Sequence, residues 1–164
     1  MRVQASAPGK LIILGEYAVL EGAPALVTSV QRRASVGIEV SEGDGCWVNA
    51  PEIGVSNIKL GHSGNDASKL AFVQECVTDV CSRFPTLKEQ KVKIDICSER
   101  FLAAAGGPKL GLGSSAAVSA ALVMALETVG ADGNAPEPAH VFEVAHRSHR
   151  RAQGGVGSGL DVAA

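Results

Sequence analysis

The sequence predicts an α+β fold in one domain. Three observations carry that reading. Short apolar segments separated by glycine-containing turns fill the first third of the chain. Longer segments with helical spacing follow, around residues 66–84 and 115–129. The chain has 164 residues, 46% apolar and 20% charged, which is enough for one sizeable core and too apolar for disorder.

Taken in order, Arg2 to Ser6 reads as a first strand, broken by Pro8-Gly9, with Lys10 to Leu14 as a second apolar run. Tyr17 to Leu20 and Ala25 to Val30 lie on either side of the Glu21-Gly22 turn signal. Ala34 to Val40 alternates as a strand, and Gly43-Asp44-Gly45 reads as a hairpin loop into Cys46 to Asn49. Gly54 to Asn65 is rich in Gly, Ser and Asn and reads as surface loop. Asp66 to Phe84 places Leu70, Val73, Val77, Val80 and Phe84 on one helical face, and Pro85 ends it. Val92, Ile94 and Ile96 alternate as a strand. A helix spans about Ser115 to Val129 with Gly130 suited to its C′ position. A last one spans about Pro136 to Ala152, with proline in its first turn. Gly154 to Gly159 is a second glycine-rich loop, leading into Leu160-Asp161-Val162.

Composition narrows the function. The formal net charge of −2 argues against a nucleic-acid binder, and 4% aromatics argue against a base-stacking surface. No apolar run reaches the roughly 18 residues needed to span a bilayer. Pro8-Gly9 comes too early for a signal peptide. Cys46, Cys76, Cys81 and Cys97 fit no zinc spacing and read as free thiols of a reducing compartment, so a cytoplasmic location is expected.

The most informative stretch is Gly111-Leu112-Gly113-Ser114-Ser115-Ala116-Ala117. Its glycines let a ligand approach the backbone. Its serines sit where a helix begins, beside unpaired N–H groups and the positive end of the helix dipole. That combination suits a phosphate chain. Two rivals stand beside it: a tight turn that merely caps a buried helix, and a dinucleotide fingerprint, Gly111-x-Gly113-x-x-Ala116. The dinucleotide reading lacks a preceding buried strand and an acid about 20 residues on. A Walker loop is absent. Two more segments carry chemistry. Pro8-Gly9-Lys10 with Gly15-Glu16 offers a fixed positive charge at Lys10, and Gly154 to Asp161 offers a carboxylate at Asp161 that could accept a proton. Phosphoryl transfer needs such parts: positioned phosphates, cations, and a group that takes the proton of the attacking hydroxyl. The plain readings are a solvated turn lysine, an N-cap aspartate and a solvated basic helix end at Arg147, Arg150 and Arg151. His146 and His149, at i and i+3, read as polar surface, and Glu143-x-x-His146 is too little for a metal site.

Ala7 to Leu20, Lys109 to Ala117 and Gly157-Ser158-Gly159-Leu160-Asp161 resemble, in order and spacing, the three N-terminal motifs of the GHMP small-molecule kinases. The resemblance covers essentially the whole chain. It implies that superfamily's N-terminal, ribosomal-protein-like fold with a left-handed βαβ unit, an exception to the usual right-handed crossover. It also implies ATP and Mg²⁺ as cofactors. Asp161 and Lys10 would then be catalytic. Lys109, Gly111, Leu112, Gly113, Ser114, Ser115 and Ala116 would bind the ATP phosphates, with Ser115 also on the metal. Glu16, Tyr17, Ser158, Gly159 and Arg150 would contact the acceptor.

Within the superfamily the chain is similar to mevalonate-pathway kinases, and to phosphomevalonate kinases in Lys109 and in the Ala152-Gln153-Gly154 approach to Asp161. Mevalonate kinases carry a metal-binding glutamate about a dozen residues before the aspartate, where this chain reads His146 to Arg151 without an acid. The resemblance therefore implies phosphorylation of phosphomevalonate, with mevalonate, homoserine or a sugar as alternatives. A non-catalytic domain of the same fold is the reading from another class. Expected partners are a small-molecule substrate, no nucleic acid and no membrane, with room for a homodimer. GHMP kinases are typically longer, so residues 1–164 are expected to be the N-terminal part of one, without its C-terminal domain and inactive alone.

Overall fold

The computed structural model describes residues 1–61, 68–155 and 159–163. Strands β1 (Arg2–Leu14), β2 (Leu26–Ser41), β3 (Cys46–Ala50), β4 (Val55–Lys59) and β5 (Lys91–Cys97) form one sheet in the order β1-β2-β5-β3-β4. The helices are α1 (Ala71–Arg83), α2 (Ser114–Gly130), α3 (Pro138–Ala152) and the short α4 (Leu160–Ala163). Only β3 and β5 pair in parallel; the other neighbours are antiparallel. A parallel pair needs a long crossover, and here β4 and α1 lie within it, giving a βαβ unit.

The helices gather on one face of the sheet. α2 packs on β1 and β2, while α1 and α3 pack on α2 and on each other. The strands follow from alternation. Val36, Ile38 and Val40 on β2 stand opposite Ile96, Ile94 and Val92 on β5, all facing the helices, while Lys93 and Asp95 face outward. α2 is apolar almost all round because it is covered almost all round. Leu122, Val123, Ala125 and Leu126 are each no more than 1% exposed.

Polar ties lock α1 to its neighbours. Asp79 accepts hydrogen bonds from Ser148 Oγ (2.7 Å) and Arg147 Nε (3.2 Å) and pairs with Arg151, which also donates to Glu75 (2.8 Å). Buried Glu127 of α2 meets Arg83 of α1 and His140 of α3, each at 2.9 Å. The four cysteines are free, and burial pushes the Cys46 and Cys76 thiols up to about 12. Among the described residues no helix is long and apolar enough to cross a membrane.

Several local expectations need correction. Pro8-Gly9 does not end the first strand. β1 runs through it with a register irregularity, tolerated because β1 is an edge strand with a free side for a residue without an N–H. Gly43 to Gly45 does not close a hairpin, because β2 pairs with β5 and not with β3. Residues 55–59, read as loop, are strand β4, which forms the true hairpin with β3. Gly130 is the last residue of α2 and not its left-handed stop. It is small because Phe84 lies on it, where a Cβ would stand 2.5 Å from Phe84 Cγ.

Candidate functional site

The irregularity at Pro8-Gly9 aims the site. Before it, Val3, Ala5 and Ala7 pack towards the helices; after it, Lys10 and Ile12 line a cleft under α3. The inward set thus moves from odd to even positions, as an irregular register allows. Opposite, the pairing jumps from Arg33 to Val30, leaving Gln31 and Arg32 out of register. Gly9 admits a close approach, since a Cβ there would stand 2.8 Å from the Leu112 carbonyl oxygen. Lys10 N–H donates to that carbonyl at 2.9 Å. The first motif and the glycine–serine turn are therefore joined backbone to backbone.

The turn itself opens α2. Gly111 and Gly113 both have φ +73°, and Gly113 is the N-cap, with no side chain capping the helix. The first N–H groups of a helix so begun have no partner of their own and suit an anion. Ser114 and Ser115 line a cavity of ≈ 140 Å³ with Lys109, Lys69, Phe72 and Val118. Gly111 and Leu112 do not line it. Leu112 contributes its carbonyl to the seam with β1, and its side chain packs on the core. Ala116 is buried in the first helical turn.

A second cleft, of ≈ 200 Å³, holds the remaining chemistry. Glu16 and Tyr17 face it from just past β1, Arg150 from α3 with Gln153 just beyond it, and Gly159 and Asp161 from the start of α4. Lys10 Nζ and Asp161 Oδ1 are 2.7 Å apart; the lysine is nearly buried and the aspartate partly open. Arg150 Nε donates to the Gly155 carbonyl at 2.7 Å. Arg147 and Arg151 turn the other way, to Asp79 and Glu75 on α1, so of the three arginines Arg150 alone lines this cleft. Ser158 lies outside the described residues.

The two histidines read as surface are at the centre of the site. His149 is 5% exposed, and its Nε2 lies 3.0 Å from Ser115 Oγ, linking α3 to the glycine–serine turn. Burial holds its imidazole below the usual range, against the pull of the nearby Asp161 carboxylate. His146 lines the second cleft with it. A signal for His149 was present in the sequence: Val141, Val144, Ala145, Ser148 and His149 follow the i, i+3, i+4, i+7, i+8 stripe of a buried face. No group of three or more metal-ligating side chains occurs among the described residues.

Fold and site together describe a domain with an uncapped, glycine-led helix start beside a lysine–aspartate pair. The chain belongs to the GHMP kinases: the family's N-terminal domain matches residues 71–164. Along 98% of its length the chain is 30% identical to the mevalonate kinase of Thermococcus sibiricus, covering 48% of that protein. It is 28% identical to the phosphomevalonate kinase of Saccharolobus solfataricus over 98% of the chain and 46% of the relative. The crystal structure of the Lin0012 protein from Listeria innocua superposes with a TM-score of 0.80 at 30% identity, over 99% of this chain and 45% of that one. The chain thus spans about half the length of the curated relatives it matches.

Proposed function

We propose that the protein carrying this domain transfers the γ-phosphoryl group of ATP to a hydroxyl of a small mevalonate-pathway acceptor, phosphomevalonate before others. The observation that carries the reading is the Lys10–Asp161 pair at 2.7 Å, set beside the open N-terminus of α2.

The donor set fits ATP. The uncapped first turn of α2, the Ser114 and Ser115 hydroxyls and Lys109 would hold its phosphates. Magnesium carried on those phosphates keeps most of its waters and needs few protein ligands, and Ser115 Oγ would give one. The bound metal nucleotide would supply an electrophilic phosphorus and spread its charge. Asp161 accepts the proton of the attacking acceptor hydroxyl on a carboxylate oxygen. Lys10 fixes that carboxylate through Oδ1 and brings a positive charge to the transferring group. His149 braces Ser115 through Oγ.

Arg150 at the second cleft favours an acceptor that already bears a phosphate. The likeness to the Thermococcus sibiricus mevalonate kinase favours mevalonate as a second reading. The test is product analysis by ³¹P NMR of the whole polypeptide with ATP and mevalonate, phosphomevalonate or homoserine. Diphosphomevalonate as the faster product is expected. Faster phosphorylation of mevalonate selects the second reading, and no product from any of the three acceptors overturns the mevalonate-pathway reading.

A further inference from the structure

His146 lies on α3 one turn before His149 and faces the cleft that holds Lys10 and Asp161. Its ring stacks on Phe142, with centroids 5.6 Å apart and planes inclined by 14°. That contact fixes the ring through its faces and leaves its nitrogens to other partners. Nε2 is shut off from solvent and has no hydrogen-bond partner among the described residues. Gly159 closes on the same atom: a Cβ there would stand 2.6 Å from Nε2, and Gly159 holds a φ of +79° that suits glycine. Buried polar atoms are nearly always paired, so this orphan, on a side chain that lines the cleft, is one that a small shift of Gly159 would open to a ligand atom. The cations nearby are Lys10 and Arg150, and Lys10 is already matched by Asp161.

Resting on the phosphoryl-transfer reading above, we propose that His146 is a specificity-determining residue of the acceptor site, its Nε2–H donating to an anionic oxygen of the acceptor. The acceptor class is a hydroxylated acid: a hydroxyl for Asp161 and a carboxylate or phosphate oxygen for His146. Gly159 packs directly on Nε2, and the acceptor oxygen reaches that atom as the Gly159 backbone draws back from it. Phe142 holds the ring in the orientation that turns Nε2 to Gly159.

The test compares wild type, His146→Phe and His146→Gln in the whole polypeptide, by steady-state kinetics with ATP and either mevalonate or phosphomevalonate. Phenylalanine keeps the stack on Phe142 and removes the nitrogen; glutamine restores an amide N–H. For His146→Phe, acceptor kcat/KM is expected to fall about 10- to 100-fold with the KM for ATP unchanged, glutamine recovering part of the loss. Loss with both acceptors assigns the carboxylate they share; loss with phosphomevalonate alone assigns its phosphate. An acceptor kcat/KM within about two-fold of wild type in His146→Phe overturns the proposal. So does a parallel rise of both KM values, which marks a structural role. A wild type that phosphorylates neither acceptor defeats the functional reading alone. His146 is then read from its imidazole ¹⁵N signals in residues 1–164 while acetate or inorganic phosphate is added. A saturable shift supports the anion contact, and an unmoved signal overturns it.

Discussion

Gly113 has no room for a side chain because Lys10 lies against it: a Cβ there would stand 2.9 Å from Lys10 Cγ and 3.1 Å from Lys10 Cε. The lysine cannot yield cheaply, since its far end is held by Asp161. Gly113 also holds φ +73°, a conformation that costs a non-glycine residue about 1–2 kcal/mol. Gly113→Ala should therefore displace Lys10 and tilt the start of α2 together. ATP affinity, measured by calorimetry on the whole polypeptide, is expected to fall at least about 10-fold. Unchanged affinity would remove this turn from the nucleotide site.

Asp161→Asn keeps the shape of the side chain and removes both its negative charge and its capacity as a base. General-base catalysis is worth about 10²–10⁴-fold, so kcat should fall by that much. ATP affinity should change little, because in the proposed function the phosphates are held by the first turn of α2 and not by Asp161. A kcat near wild type would assign the proton transfer to another group.

Gly130→Ala sets helix propensity against packing. Alanine is favoured over glycine by about 1 kcal/mol in a helix interior, and by less at Gly130, the last residue of α2. Here the new methyl would meet Phe84 Cγ at 2.5 Å and Phe84 Cδ2 at 2.6 Å. Overpacking of this kind costs about 1–3 kcal/mol, and the ring sits where α1 ends, half-buried against the core. Net destabilisation is expected, read as a lower urea midpoint with an unchanged slope. A higher midpoint would show that the ring yields freely.

Asp79 ties stability to acid pH. Burial raises its pKa, but hydrogen bonds from Arg151 and Ser148 and the charges of Arg151 and Arg147 outweigh that and hold it below its ordinary 3.8. A carboxylate depressed in the folded state contributes stability that is fully present above 3.8 and is lost as pH falls through its lower folded value. Urea midpoints should drop in that acid window. Asp79→Asn should flatten this acid limb and cost about 1–3 kcal/mol at neutral pH. An acid limb of the same depth in the variant would assign it to other carboxylates.

The sequence by itself determined the elements whose signals are local. Alternation at Val92, Ile94 and Ile96 gave β5, helical spacing at Val73, Val77 and Val80 gave α1, and the glycine–serine turn gave the start of α2. Its glycine-rich turns also pointed to Lys10, Ser115 and Asp161 as candidates, because such turns beside polar groups can be read without knowing what they face, while Lys109 and Arg150 entered as candidates through the family resemblance. Tertiary structure decided the rest. Strand partners were not legible, since Gly43 to Gly45 looks the same whether β3 returns to β2 or crosses to the far side of β5. Nor was the fate of the basic run on α3. Residues one to three apart point around a helix, and only the packing of α1 decides that Arg147 and Arg151 meet Asp79 while Arg150 and His149 turn to the cleft. The closing pair shows the same division. A lysine and an aspartate at opposite ends of a chain carry no mutual signal, and they meet because an irregular edge strand turns Lys10 inward where α4 begins.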